Sequence, residues 1–105
     1  MPGVRTCLVA EVDFLPEAEA DYLEARAWYL ARSPQAATGF DAAVDVALSA
    51  IEKTPEGWTF CDDRHRFYVL RRYPYSVIYR TTAVRVLVVA FAHSSRSATY
   101  WRDRG

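Results

Sequence analysis

The chain has 105 residues, 51% of them apolar and 25% charged, with a formal net charge of zero at pH 7. That length suits one domain over residues 1–105 with one hydrophobic core, and the apolar residues recur in periodic runs, which excludes a disordered chain. No apolar run approaches the ~20 residues that span a bilayer, and Met1–Thr6 lacks the apolar stretch of a signal peptide, so the cytoplasm is the expected location and no membrane partner is expected.

Cys7–Asp13 alternates loosely and predicts a first strand. Pro16 then suits the first position of a helix, where a missing N–H costs nothing, and Glu17, Glu19 and Asp21 place negative charge near the positive end of the helix dipole. Ala18, Tyr22, Ala25 and Tyr29 keep helical spacing, and this helix should run to about Arg32. Ser33-Pro34 is a second start signal, a capping serine followed by proline. Phe40, Val44, Ala47, Leu48 and Ile51 form one apolar stripe on a second helix, which Thr54-Pro55-Glu56-Gly57 ends. The short break between the two helices predicts an antiparallel helical hairpin.

From Trp58 the period changes to two. Trp58–Cys61 is a short strand candidate, Arg66–Arg72 a better one, and Tyr73-Pro74 a turn. Tyr75–Thr81 and Val84–Ala92 are strong strands joined so tightly by Thr82-Ala83 that they must form a hairpin. The order is β-α-α-β-β-β, ending in an antiparallel meander. Helices and strands are segregated, so the expected class is α+β. On Val84–Ala92, strict alternation puts Val84, Val86, Val88 and Ala90 on one face and Leu87, Val89 and Phe91 on the other. The helical hairpin can cover one of these apolar faces. The other needs the C-terminal tail, a second subunit or a partner peptide.

The zero net charge conceals a dipole. Residues 1–63 carry twelve acids and four basic side chains, about −8 in sum, whereas residues 64–105 carry nine arginines and Asp103, about +8. A basic half suits nucleic acid or an acidic protein partner, or it serves to pair with the acidic helices. Cys7 and Cys61 form no CxxC pair and no Cys/His cluster, so both are expected as reduced thiols in the sheet, and no metal site is expected. Asp62-Asp63 lacks a third ligand at useful spacing and reads as a turn. His65, in a polar loop, is expected to be solvated.

The informative segment is the last third. It holds Tyr73-Pro74-Tyr75, Tyr79, Ala90 with His93 and Arg96, and a closing Tyr100-Trp101-Arg102-Asp103-Arg104. Upstream stand Phe14, Pro16-Glu17-Ala18, Trp28-Tyr29, Phe40 and Ile51 with Pro55. In this order and spacing, over nearly the whole chain, the pattern resembles the RelE/ParE toxin superfamily, also described as plasmid-stabilisation proteins. Ala98, where many members have proline, is the one departure, and it touches only the local conformation of the tail.

The resemblance implies the toxin component of a bacterial type II toxin–antitoxin system, held inactive by a cognate antitoxin whose acidic and apolar C-terminal segment wraps the toxin in a hetero-oligomer. It implies one of two targets. ParE-like members inhibit DNA gyrase by binding, without hydrolytic chemistry. RelE-like members are ribosome-dependent, metal-independent endoribonucleases that cut messenger RNA. A degenerate, non-toxic binding module is the third reading. No cofactor is implied by any of them.

Cleaving RNA through its 2′-OH needs a base, an acid and cations for the phosphate. Arg72, Arg96, Tyr100 and His93 are the catalytic candidates under the RelE-like reading. The residues expected to bind target or antitoxin are Arg71, Arg72, Arg80, Arg96, Tyr100, Trp101 and Arg102. Each has a plainer role beside the functional one. His93 ends an apolar strand and reads as a hydrogen-bonded packing residue. Tyr75 and Tyr79 read as half-buried core. Arg71 and Arg72, as neighbours on a strand, should point to opposite faces. Arg96 suits an ion pair with an acid of the first helix, and Trp101 suits an anchor for the tail. The shortage of a general base (arginine almost never deprotonates, and the single lysine, Lys53, ends the second helix) favours the gyrase-binding reading.

Overall fold

The computed structural model describes residues 11–82, 85–95 and 100–104. Cys7, Ala83, Val84, Arg96 and Ala98 lie outside the described residues. The described part contains β1 (Glu11–Phe14), α1 (Pro16–Arg32), α2 (Pro34–Lys53), β2 (Arg66–Val69), β3 (Tyr75–Thr81), β4 (Arg85–His93) and a closing 3-10 turn, Arg102–Arg104. The α+β class and the β-α-α-β-β-β order are those expected from the sequence.

The helix boundaries follow local chemistry. α1 starts at Pro16 behind an extended Leu15 that offers no side-chain cap, with Glu17 and Glu19 in its first turn. Ser33 ends α1 and caps α2, its Oγ accepting the Ala36 N–H at 3.0 Å. The α2 stripe packs inward as expected at Phe40, Val44, Ala47 and Ile51, while Leu48 is half-buried at its edge. Arg26 donates to the Asp41 carboxylate at 2.9 Å across the hairpin, and Tyr22 Oη donates to the same group.

The four strands form one sheet in the order β1-β4-β3-β2. β1 runs parallel to β4, and the other two pairings are antiparallel. The hairpin α1–α2 covers one face, where Phe40, Val77, Tyr79, Val86, Val88 and Phe91 meet. Trp101 covers part of the other, packing on Ile78, Val89 and Ala90. Of the three candidates for that second face, the C-terminal tail is the one seen. No helix among the described residues is long and apolar enough to cross a membrane.

Four details correct the reading of the sequence. First, the alternation on β4 does not hold. Ile78 pairs with Ala90 and Tyr79 with Val88, so Val89 is an extra, bulged residue. The bulge reverses the phase: Phe91 joins Val86 and Val88 under the helices, and Ala90 joins Val89 beneath the tail. Second, β2 stops at Val69. Leu70 N–H donates to Tyr75 O at 2.9 Å, which closes the turn early, and Arg72 takes a φ of 69°, the left-handed region that ends a strand. Arg71 and Arg72 are therefore both exposed turn residues, not neighbours on opposite strand faces. Third, Trp58–Cys61 makes only an isolated bridge, Phe60 to Arg66. Cys61, a free thiol, thus stands in a loop beside the tail rather than in the sheet. Fourth, His65 is not solvated. It is 1% exposed, with its ring 4.9 Å from that of Trp101. The cause is the Asp62 turn, whose carboxylate accepts the Arg64 and His65 backbone N–H groups and the imidazole Nδ1, folding His65 inward.

Candidate functional site: an aromatic cleft between α1 and the end of β4

A cleft of about 370 Å³ opens where α1, the β2–β3 turn and the end of β4 converge. α1 supplies Asp21, Glu24, Trp28 and Tyr29, the turn and β3 supply Pro74 and Tyr75, and β4 supplies Phe91 and His93. Ser95 and Tyr100 close it. The sequence builds this place in steps. Ala25 sits on the buried side of α1, so the helix approaches the sheet closely. The β4 bulge turns Phe91 toward α1, and the cross-strand pairing of Tyr75 with His93 puts their rings 4.9 Å apart and perpendicular. Tyr29 is stacked on Phe40 at 5.1 Å and meets the edge of Tyr73 at the same distance.

Asp21 organises the cleft wall. β1 ends at Phe14, so beyond Val88 the outer edge of β4 has no strand partner among the described residues. There the Asp21 carboxylate accepts the Phe91 N–H at 3.2 Å, and Arg104 donates to Val89 O at 3.1 Å. Arg104 and Asp21 themselves pair at 2.7 Å, with both side chains less than one-fifth exposed. The pair satisfies backbone groups along this edge of β4 and holds the tail against α1. Its hydrogen bond to Asp21 also raises the Arg104 pKa above its already high ordinary value.

The expected site residues divide. His93 and Tyr100 both line the cleft. His93 Nδ1 accepts from the Ser95 N–H at 3.0 Å and lies 2.8 Å from Ser95 Oγ, so that nitrogen is already engaged. Arg104 lies over the Tyr100 ring at 5.0 Å. Arg71 and Arg72 stand on the turn at the same end of the sheet, since Pro74 O accepts the Ser94 N–H. Arg80 does not join them. It lies five residues along β3 from Tyr75, about 17 Å at ~3.3 Å per residue, and shares the tail face with Ile78. Trp101 is buried as an anchor, 2% exposed. Arg102 is exposed and reaches Asp62 at 3.5 Å. Arg96 lies outside the described residues.

The charges in the cleft are carboxylates: Asp21, neutralised by Arg104, and Glu24. The described tyrosines whose pKa moves are all pushed up: Tyr79 to about 12 by burial, Tyr22 to about 12 by burial and its bond to Asp41, and Tyr29 upward by burial. None of these three is therefore primed as a phenolate base. Among the described residues no group of three or more His, Cys, Asp or Glu side chains lies together to hold a metal ion.

Asp21 and Arg104 were not picked out as site residues from the sequence. Asp21 looked like one of several acids near a helix start, and only the bulge at Val89 gives it a task.

The described residues thus form a small α+β domain with a helical hairpin on one sheet face, an arginine-bearing tail on the other and an aromatic cleft beside α1. The family model for the ParE toxin of type II toxin–antitoxin systems, parDE, matches residues 12–98, and the chain belongs to that family. The fold is similar to that of a chain in the chromosomal ParDE toxin–antitoxin system from P. aeruginosa, with a TM-score of 0.70 and 15% identity over 80% of this chain and 95% of that one. No curated protein matches the sequence.

Proposed function

We propose that this ParE-family chain arrests growth by binding DNA gyrase, that it performs no hydrolysis, and that a cognate antitoxin neutralises it by laying an apolar and acidic C-terminal segment against it. The observation that carries the choice of binding over nuclease chemistry is the dispersal of the basic residues. Arg102 and Arg104 are drawn to Asp62 and Asp21, Arg80 is on the far part of β3, and Arg71 and Arg72 project from a turn. A site for RNA cleavage needs cations converging on one phosphate beside an acid and a base. The cleft that holds Tyr100 and His93 instead carries Glu24, which opposes a polyanion, and an Asp21 already paired with Arg104.

An aromatic cleft suits a partner's apolar side chain, which gains by leaving water. The free arginines of the turn suit the acidic residues that flank such a segment. A DNA supercoiling assay with purified chain and purified gyrase tests the target. Inhibition that rises with the chain and is relieved by the antitoxin is expected, and full gyrase activity at a large excess of the chain contradicts the reading.

A further inference from the structure

The two acids of the aromatic cleft differ in what they hold. Asp21 and Glu24 are three residues apart on α1, so they share one side of the helix, and both line the cleft. Asp21 has a cation: Arg104 pairs with it at 2.7 Å while lying over the Tyr100 ring at 5.0 Å. Glu24 shares the same side with Trp28, four residues on. It makes no ion pair among the described residues, and no basic side chain among them lines the cleft.

The rings beside Glu24 suit a positive charge. Trp28 and Tyr29 meet edge to face at 5.0 Å, and Tyr75 and His93 do so at 4.9 Å, so the wall presents ring faces in more than one direction. A ring face carries the negative part of the π quadrupole and attracts a cation. The chain already uses two of the cleft's rings in this way, with Arg32 over Trp28 at 3.5 Å and Arg104 over Tyr100. His93 adds no positive charge, because its Nδ1 accepts the Ser95 N–H and so carries no proton.

We propose that the cleft receives a lysine or arginine side chain of a partner protein, its methylene stem lying on Tyr29, Tyr75 and Phe91 and its charged end between Glu24 and Trp28. This rests on the reading of the cleft as the seat of a partner's side chain, and it narrows that side chain to one with an apolar stem and a cationic end. A purely aliphatic side chain would bury the same rings and leave Glu24 unmatched. An acidic one would face Glu24 across the cleft. A free diamine is the poorer occupant, because its second charge would find Asp21 already neutralised by Arg104. Glu24 is exposed, and an exposed carboxylate alone holds a cation weakly; the ring faces supply the rest.

The test labels the full chain with ¹⁵N and follows the indole N–H signals by NMR. Trp28 reports on the cleft, and Trp58, whose N–H donates to the Ala50 carbonyl outside it, is the control. The probes are three blocked pentapeptides that differ only at the central residue, lysine, norleucine or glutamate, and putrescine as a free diamine. The lysine peptide is expected to move the Trp28 signal saturably, leave Trp58 unmoved, and bind about fivefold more tightly than the norleucine peptide. Glu24→Gln should remove most of that preference, whereas Glu19→Gln, which removes the same charge from the exposed first turn of α1, should keep it. Equal binding of the lysine and norleucine peptides overturns the proposal and leaves an apolar seat standing. Binding by none of the peptides overturns both. A preference for lysine that survives Glu24→Gln, or a Trp28 shift with putrescine and not with the lysine peptide, also overturns the proposal.

Discussion

Replacing Asp21 tests how the cleft wall is held. Its carboxylate holds Arg104 at 2.7 Å and accepts the Phe91 N–H at 3.2 Å. Asp21→Asn keeps an oxygen for Phe91 and loses the charge, which converts a charge-assisted bond worth ~1.5–3 kcal/mol into a neutral one worth ~0.5–1.5, a cost of about 1 kcal/mol. Asp21→Ala removes both bonds. Arg104 is 18% exposed in its side chain and can turn to water, but the Phe91 N–H, at the bulged part of β4, is left unmatched at ~1–3 kcal/mol. The summed loss is about 3 kcal/mol, a large share of the ~5–15 kcal/mol that stabilises such a domain. Urea unfolding followed by tryptophan fluorescence measures it, and a cycle with Arg104→Gln isolates the pair. A coupling energy of about 1 kcal/mol or more is expected. A loss below ~0.5 kcal/mol for Asp21→Ala, or strict additivity with Arg104→Gln, refutes the role given to this pair.

Three other perturbations have defined outcomes. Trp101→Ala should cost about 3–5 kcal/mol in the same unfolding experiment, since the indole is almost fully buried on Ile78, Val89 and Ala90, whereas Trp28→Ala, at a half-exposed position, should cost far less. Gly39→Ala should destabilise despite the ~1 kcal/mol gained in helix propensity, because the new Cβ runs into Tyr73 Oη; combined with Tyr73→Phe, which removes the obstructing hydroxyl, it should recover most of the loss, and failure to recover would assign the cost elsewhere. Burial alone would raise the Asp62 pKa, but the N–H groups of Arg64 and His65 and the His65 ring outweigh it and hold it at about 2. A carboxylate whose folded pKa is lowered stabilises above its unfolded pKa near 4 and loses that contribution as pH falls toward 2. Unfolding free energy should therefore drop between about pH 4 and pH 2, and less so in Asp62→Asn; identical slopes for the two chains would contradict the assignment.

The helices were legible because their signals are local. Pro16, Ser33-Pro34 and the stripe from Phe40 to Ile51 each act within a turn or two of chain, and the structure places both helices at those boundaries. The strand Tyr75–Thr81 was legible for the same reason. What the sequence concealed depends on contacts between distant residues. The bulge at Val89 arises from the pairing with β3, and period-two reasoning cannot place an extra residue within an unbroken apolar run. The burial of His65 depends on Trp101, 36 positions away, and on a turn made by Asp62. The arginines of the last third looked like one basic face, yet the fold divides those described among a turn, two strands and a tail held by carboxylates. Of the expected site residues, His93 and Tyr100 share the cleft; Asp21, which organises it, carried no signal beyond its charge.

The most direct test of the account is inducible expression of the chain in a bacterium, with labelled thymidine and methionine incorporation followed separately. DNA synthesis is expected to fall first, with cells filamenting while translation continues. Translation stopping within minutes, ahead of any change in thymidine incorporation, would contradict it and make messenger-RNA cleavage the activity to pursue.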